Sequence, residues 1–555
     1  MEVTVRVAGR RGIRRAVLAA SAAAVAAGLV ATGFALNPAS AATASTTLTV
    51  NASQVLRPVT HVATGSLYGL ANATQPSVAL AQAIKPNTFV QMAAGGKQQP
   101  TGDISVVAPT AVSVGAKLVD RLADYFAGWP YQFSWSAWTP FIDSQIKTMK
   151  SASYYNSISA YELWNESDQT WNSANGTYES FWTTTFRQVR SLDATKPIQG
   201  PSFSTNISDM QNFLQNAVTT NTVPDIISWH ELSSSSQIAG HVATVQSIED
   251  QLGISRRPIA IEEYATRDEV GLPGPLVGYV SKFERLGIRD AELPFWNESG
   301  ALGDLLTARG GSPNAAYWMY TWYAAMSGNM VATTPPAQTG IDGFAAVPSG
   351  NNQVSIVVGN CDGSCAVTVN GLNGLSLGNT VSVKVEQTVS QGRTVASSGP
   401  STISTTTYTP ANGTITVPIT MATNSAYRVT ITPGSGGSTT TPPTTAPTTP
   451  TTPPTTPPTG ACSATVSLNS WSGGYVATVK VTAGAAAVSG WAVGVTLPAG
   501  SAITNTWNAT GSGTSGTVTF RNVAYNGQIA AGGSTEFGFQ GTGSGPTTTP
   551  TCQAG

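Results

Sequence analysis

A (β/α)8 barrel with an appended antiparallel β-sandwich, a Pro/Thr-rich linker and a small C-terminal module is the architecture this sequence predicts. Three observations carry that reading. Apolar runs alternate with helix-period segments between residues 57 and 334. After Pro336 the pattern changes to period-two alternation, broken by Gly, Asn and Ser turns. Residues 434–460 are almost entirely Gly, Ser, Thr and Pro, a composition that cannot bury a core. With 555 residues, several domains are expected.

Taken in order, the chain opens with an expected export signal over residues 1–41. Arg6, Arg10, Arg11, Arg14 and Arg15 precede an Ala/Val/Leu run that ends in the small-residue pattern Ala39-Ser40-Ala41. The general and the twin-arginine routes both stay open, and the product is expected to be secreted and extracellular. Residues 46–56 begin "TTLTVNAS", whose alternation predicts a strand added to the later sandwich.

The barrel is expected over 57–334. Its eight runs are "HVATGSLYGL", "NTFVQMA", "VGAKLVDRL", "ISAYELWNE", "PIQGPS", "PDIISWHEL", "RPIAIEEYA" and "DAELPFWNE". Between them Met210, Phe213, Leu214 and Ala217, and then Leu276, Val280 and Phe283, keep helical spacing. Eight strand–helix units in this length fit a barrel. An open doubly wound sheet would want a G-x-G-x-x-G turn, which residues 57–334 lack. The accessory sandwich is expected over 337–433, from "QVSIVVGN", "CAVTVNGL", "TVSVKVEQTV", "TITVPITM" and "AYRVTIT".

Charge and cysteine content exclude several function classes. Only 10% of residues are charged and the net charge is −1, so no basic stripe addresses nucleic acid or an anionic membrane. Four cysteines in an exported chain should pair. Cys361 and Cys365 flank a turn in "NCDGSC", which leaves Cys462 and Cys552 to bracket the last segment. A zinc site is not expected: the chain has no C-x-x-C and only His61, His230 and His241. No metal or other cofactor is called for.

The tetrapeptide WNES occurs twice, at Trp164–Ser167 and Trp296–Ser299. In a barrel, functional groups sit at the C-terminal ends of strands, and both Glu166 and Glu298 satisfy that. Hydrolysing a glycosidic bond with retention needs two carboxyl groups about 5–5.5 Å apart. Three units after Glu166 comes "PIAIEEYA", with Glu262 and Glu263 at a strand end. After Glu298 there follow only Asp304, Asp342, Asp362, Glu386 and Glu536, none at a comparable place. The first copy has a partner and the second does not.

"ELWNE" on the fourth strand and "IAIEEY" on the seventh resemble the retaining glycoside hydrolases of clan A, family 39-like, over about residues 46–434. The resemblance implies Glu166 as acid/base and the seventh-strand Glu as nucleophile. It implies Asn165 on the sugar 2-hydroxyl, His230 beside the −1 subsite and Trp296 as a stacking aromatic. Trp164 and Glu298 join them as expected substrate contacts. The clan's Thr-Glu-aromatic pattern places Glu263 before Tyr264 and Glu262 at the Thr position. Strand alternation sends these two side chains opposite ways, so Glu263 is favoured. One departure stands: Glu231-Leu232 replaces the clan's frequent His-x-Tyr, so no tyrosine is assigned to the nucleophile.

Other residues carry two readings each. Glu162 reads as structural, too far down its strand. Arg121 and Asp124 either line the cleft or form a buried ion pair. Trp129, Tyr131, Trp135, Trp138 and Trp171 divide between core and sugar platform. Gly374-Leu375-Ser376-Leu377-Gly378 fits a nucleophile-elbow pattern, but no histidine follows it, and it reads as a turn.

Residues 461–552, with "LNSWSGGY", "VSGWAVGVTLP", "ITNTWNAT" and "NVAYNGQIAAGGSTEFGFQG", resemble the family 2 carbohydrate-binding modules. That resemblance implies a flat strip of Trp471, Trp507 and Tyr525, a buried Trp491 and a Cys462–Cys552 closure. "GTGSGPTTTPTC" departs from the family's final strand. The expectation is then a monomeric retaining glycosidase of plant-wall polysaccharide, cellulose or hemicellulose, cutting β-xylosidic or β-glucosidic linkages. The alternative is a non-catalytic polysaccharide-binding protein with an inactive barrel. An esterase fails on histidine placement.

Overall fold

A computed structural model of the chain describes residues 46–204, 207–434, 462–471, 473–523, 526–529 and 531–555. The expected export signal and the linker beyond Gly434 lie outside them. The first strand, β1, is Thr47–Pro58. Then come β2 (Gly65–Leu67), β3 (Thr88–Met92), β4 (Lys117–Arg121) and β5 (Ile158–Glu162). They are followed by β6 (Ile198–Phe203), β7 (Ile226–Glu231), β8 (Ile259–Tyr264) and β9 (Asp290–Leu293). Strands β2 to β9 close a parallel barrel, one for each of the eight expected runs.

Alternation along β4 shows how the barrel sorts its side chains. Leu118 joins the large core under the helices, while Val119 faces inward. Asp120 turns out again to accept from Gln145 on the helix Trp135–Ser151 at 2.8 Å, and Arg121 turns in. Inside, Leu67, Val90, Met92, Val119, Ala160, Ile226 and Ala260 make an apolar floor. One inward step further along the strands the lining becomes polar, with Arg121, Glu162, Gln199, Glu262 and Glu292 all buried.

The sandwich adds β10 (Asn329–Thr334), β11 (Asp342–Val347), β12 (Val354–Gly359) and β13 (Gly363–Asn370). Four more follow: β14 (Val381–Thr388), β15 (Ser401–Tyr408), β16 (Ile415–Met421) and β17 (Ala426–Pro433). Their order with β1 is β15-β14-β17-β12-β11-β10-β1-β13-β16. Two expectations change here. Residues 329–334, expected in the barrel, pair with β1 and belong to the sandwich, because the chain leaving the last barrel helix (Ala315–Ala324) returns directly to that sheet. The sheet is also not wholly antiparallel: β1 runs parallel to β13, since it arrives from before the barrel and no hairpin sets its direction. Lys282 and Arg285, on the helix Pro273–Leu286, both pair with Asp342 of β11 and fasten sandwich to barrel.

The C-terminal module has β18 (Cys462–Trp471), β19 (Gly474–Ala483), β20 (Trp491–Thr496) and β21 (Ala502–Trp507). It continues with β22 (Ala509–Gly511), β23 (Thr517–Asn522), β24 (Ser534–Thr542) and β25 (Thr551–Ala554). They form two sheets, β18-β19-β24-β21 and β22-β23-β20-β25. Trp491 is in the core, stacked on Phe537, with its indole N–H on the Asn526 carbonyl at 2.8 Å. The unusual C-terminal stretch still delivers a short last strand against β20. Both disulfides form, Cys361–Cys365 and Cys462–Cys552.

The second disulfide spans 90 residues of a module that buries only one small core. Cys552→Ser should lower the module's stability by about 2–5 kcal/mol. In calorimetry of the whole chain, the module's transition should fall while the barrel's stays in place.

Candidate active site

The segment after β5 leaves the strand sharply. Leu163 and Trp164 enter the core, and Glu166 adopts a left-handed backbone with φ 50°. Its N–H is held by the carbonyl of Ser202 at 2.8 Å; Ser202, itself left-handed at φ 59°, sits where the β6–β7 register slips. Such backbone costs about 1–3 kcal/mol for a residue with a side chain, and it persists where the surroundings over-determine it. Trp164, expected to touch substrate, does not face the cleft. Its ring is buried among Tyr131, Phe133, Trp171 and Phe181, and its N–H goes to Thr170 at 2.9 Å. Asn165 is buried too, yet its Oδ1 meets no protein donor among the described residues.

A bulge in β8 supplies the other carboxylates. Trp229 pairs with Ile261, but the next residue, His230, pairs with Glu263, so Glu262 is the extra residue. The expectation that Glu262 and Glu263 face opposite ways therefore fails, for a bulge re-aims side chains. Both carboxyl groups turn toward one imidazole. His230 Nδ1 lies 2.9 Å from Glu166 Oε1 and 3.8 Å from Glu263 Oε1, and Nε2 lies 3.8 Å from Glu262 Oε2. One donor atom from each of Glu166, His230 and Glu263 lies within 4.8 Å of the other two. The fourth, sixth and seventh barrel strands thus converge.

Arg121 resolves both of its readings. It is a buried cation whose Nε donates to Glu162 at 2.9 Å and whose Nη1 donates to Glu263 at 3.3 Å. Asp124 takes a different pair, the hydroxyls of Tyr131 (2.8 Å) and Tyr68. Tyr68 was not picked out in the sequence, although its place at the end of the first barrel strand was a signal. Burial pushes the Glu263 carboxyl up, the His230 charge pulls it down, Glu166 pushes it up and Arg121 pulls it down, with a net rise. Burial alone would lower His230. The Glu263 charge, the Glu166 hydrogen bond and the charges of Glu166 and Glu262 outweigh it and hold the imidazole at about 9.

The second WNES is a loop built on Asp304, a residue without an expected role. Asp304 accepts from the backbone of Trp296 (2.8 Å) and Asn297 (3.0 Å) and from the Asn297 amide (2.8 Å). Glu298 pairs with Arg309 at 3.1 Å, both half-exposed. Trp296 keeps a buried indole N–H with no acceptor among the described residues. Of the five aromatics after the third and fourth barrel strands, Tyr131 and Trp138 are core, and Trp135 and Trp171 are half-buried. Trp129 is 55% exposed. On the module, Trp507 lies across Gly538, where a Cβ would meet its ring at 2.3–2.7 Å. The Trp471 side chain and Tyr525 lie outside the described residues.

The solved structure of N2152 from Neocallimastix frontalis shares 34% identity with this chain, at a TM-score of 0.67. The match covers 70% of this chain and all of that one. The chain belongs to the family of N2152. The family 39 glycoside hydrolase enzyme of Xanthomonas axonopodis pv. citri shares the fold, at 14% identity and a TM-score of 0.53, over 72% of this chain and all of its own. A 3-O-alpha-D-galactosyl-alpha-L-arabinofuranosidase of Bifidobacterium longum subsp. longum is 25% identical over 406 residues. That match takes in 59% of this chain and 35% of the relative, so the chain spans about a third of that relative's length. Residues 462–554 match the cellulose binding domain family. The barrel is thus glycoside hydrolase-like in fold and carries a cellulose-binding module.

The electrostatics fix a direction for pH dependence. If Glu263 must be ionised to act, activity falls as pH drops through its pKa, which lies above the ordinary 4.5. Arg121→Met removes a cation that favours the ionised form. The acid limb of kcat/KM should then move to higher pH, by roughly one unit or more. An unmoved limb would deny the guanidinium that role.

Proposed function

We propose that the barrel is a secreted, retaining glycoside hydrolase of plant cell-wall polysaccharide, held to cellulose-like material by its C-terminal module. The observation that carries this is the approach of Glu166 and Glu263 within 4.8 Å around His230. Retention asks for carboxyl groups about 5–5.5 Å apart, and inversion for about 6.5–9.5 Å. In this reading Glu263, ionised beside Arg121 and His230, attacks the anomeric carbon. Glu166 gives its proton to the leaving oxygen and then, as carboxylate, takes one from the water that releases the sugar. Two-carboxylate glycosyl transfer needs no metal.

The unpartnered Asn165 Oδ1 and Trp296 Nε1 are an acceptor and a donor for sugar hydroxyls, since buried polar atoms otherwise find partners. The arabinofuranosidase relative favours α-L-arabinofuranosyl linkages ahead of the β-xylosidic and β-glucosidic ones read from the sequence. Secretion is supported by four cysteines all held in disulfides. An inactive barrel is disfavoured: two buried carboxylates, a buried cation and a strained Glu166 backbone are costly features for an inert scaffold to retain.

Glu166→Gln and Glu263→Gln should each lower turnover of an aryl glycoside at least about a thousandfold with the fold intact. Product NMR at early times should show the substrate's own anomer. Near-wild-type rates, or an inverted first product, would sink the reading. The panel should include α-L-arabinofuranosides, β-xylosides and β-glucosides. Deleting residues 461–555 should impair attack on insoluble wall material and spare small soluble substrates, because the module raises local substrate concentration and leaves the site unchanged. Equal rates on insoluble material with and without the module would rule out anchoring.

A further inference from the structure

Glu262 stands where the clan pattern carries a threonine. Its side chain is fully buried, and Oε1 accepts from the Gln199 amide at 2.5 Å. Oε2 has no hydrogen-bond partner among the described residues, and neither has His230 Nε2, 3.8 Å away. Two buried polar atoms thus face each other across a gap too long for a direct hydrogen bond. A small closure or one bridging water satisfies both.

We infer that Glu262 is a positioning residue: it makes His230 a hydrogen-bond donor at both ring nitrogens, and His230 thereby fixes which oxygen of Glu166 carries the catalytic proton. This rests on Glu166 as the acid/base. An ionised carboxylate only accepts, so it asks for an N–H at Nε2. Nδ1, 2.9 Å from Glu166 Oε1, then donates as well. With Oε1 taken by that N–H, Oε2 is the oxygen left to deliver a proton to the leaving group. A threonine at 262 would accept or donate equally and leave the tautomer open.

The ionisable groups that face this unit come from four barrel strands and one helix. Around His230 they are Glu166, Glu262 and Glu263. Around Glu262 they are Glu162, Asp290, Glu292 and Tyr178, with Arg121 behind Glu162. Positive charge comes from His230 and Arg121, with Arg289 paired to Asp290, and Arg121 is engaged by Glu162 and Glu263.

The test uses the full chain with Glu262→Gln, which keeps shape and removes charge, and Glu262→Ala. Ring-nitrogen NMR follows His230, assigned among three histidines by its loss in His230→Gln. In wild type both nitrogens should stay protonated past pH 8, in keeping with a value of about 9. In Glu262→Gln one proton should leave at least about one pH unit lower. Kinetically, both variants should lose roughly tenfold or more on a poor alkyl leaving group, which needs the acid. They should keep a dinitrophenyl glycoside within about threefold, since that leaving group needs little protonation. An unchanged His230 titration in Glu262→Gln, or equal losses on both substrates, overturns the role of Glu262 alone. A wild type without glycosidase activity overturns the reading of Glu166 itself, whatever the histidine does.

Discussion

His230 sits among three carboxylates, and each reaches it through a departure from regular backbone. Glu166 arrives on a left-handed residue pinned by the Ser202 carbonyl, and Glu262 and Glu263 arrive together through the β8 bulge. Regular strands could not do this, because successive side chains alternate between the barrel interior and the helix layer. The imidazole contacts all three only because the register slips between Trp229 and His230. Remove the slip and one of the two glutamates turns to the helices, where Tyr264 and Glu231 already stand.

That convergence is possible because the barrel interior changes character along its axis. The apolar floor gives way to a layer of buried acids with few cations. Glu292 shows what the layer does to a carboxyl group: burial, Asp290 and Glu262 push it well up, and no donor among the described residues reaches either oxygen. Gly65 clears the space beside it, since a Cβ there would lie 2.9 Å from the Glu292 side chain. In such surroundings a charge survives only where a cation stands close. Arg121 and His230 do so around Glu263, and both touch it.

Much of this was legible in the sequence, and the failures have physical causes. The eight apolar runs and the pairing of Glu166 with the seventh strand follow from period and topology, which are local and repetitive. The side-chain direction of Glu262 was not legible, because alternation assumes an unbroken ladder and a parallel bulge leaves no Gly or Pro signal in "IAIEEYA". Trp164 misled for a similar reason. A residue beside Glu166 looks like a substrate contact, yet the chain leaves the strand there and folds the indole inward. Residues 329–334 fall to the barrel when the boundary is drawn at the change of pattern after Pro336, and only pairing with β1 assigns them elsewhere. Asp304 was invisible as a loop-builder, since most of its partners are backbone N–H groups, which leave no mark in residue type.

The barrel site and the module place their side chains by opposite physics. At the barrel site, contacts of 2.9 to 3.8 Å among buried ionisable groups decide which atom holds a proton, so sub-ångström placement matters. Low polarisability inside the barrel makes each of those contacts count more than it would in water. The module instead lays Trp507 flat across Gly538, whose missing side chain is what lets the ring approach the sheet. An aromatic face against sugar C–H groups gains from area, tolerates sliding and does not depend on protonation. One half therefore needs strained backbone and compensated charge, and the other needs only a bare glycine beneath a ring.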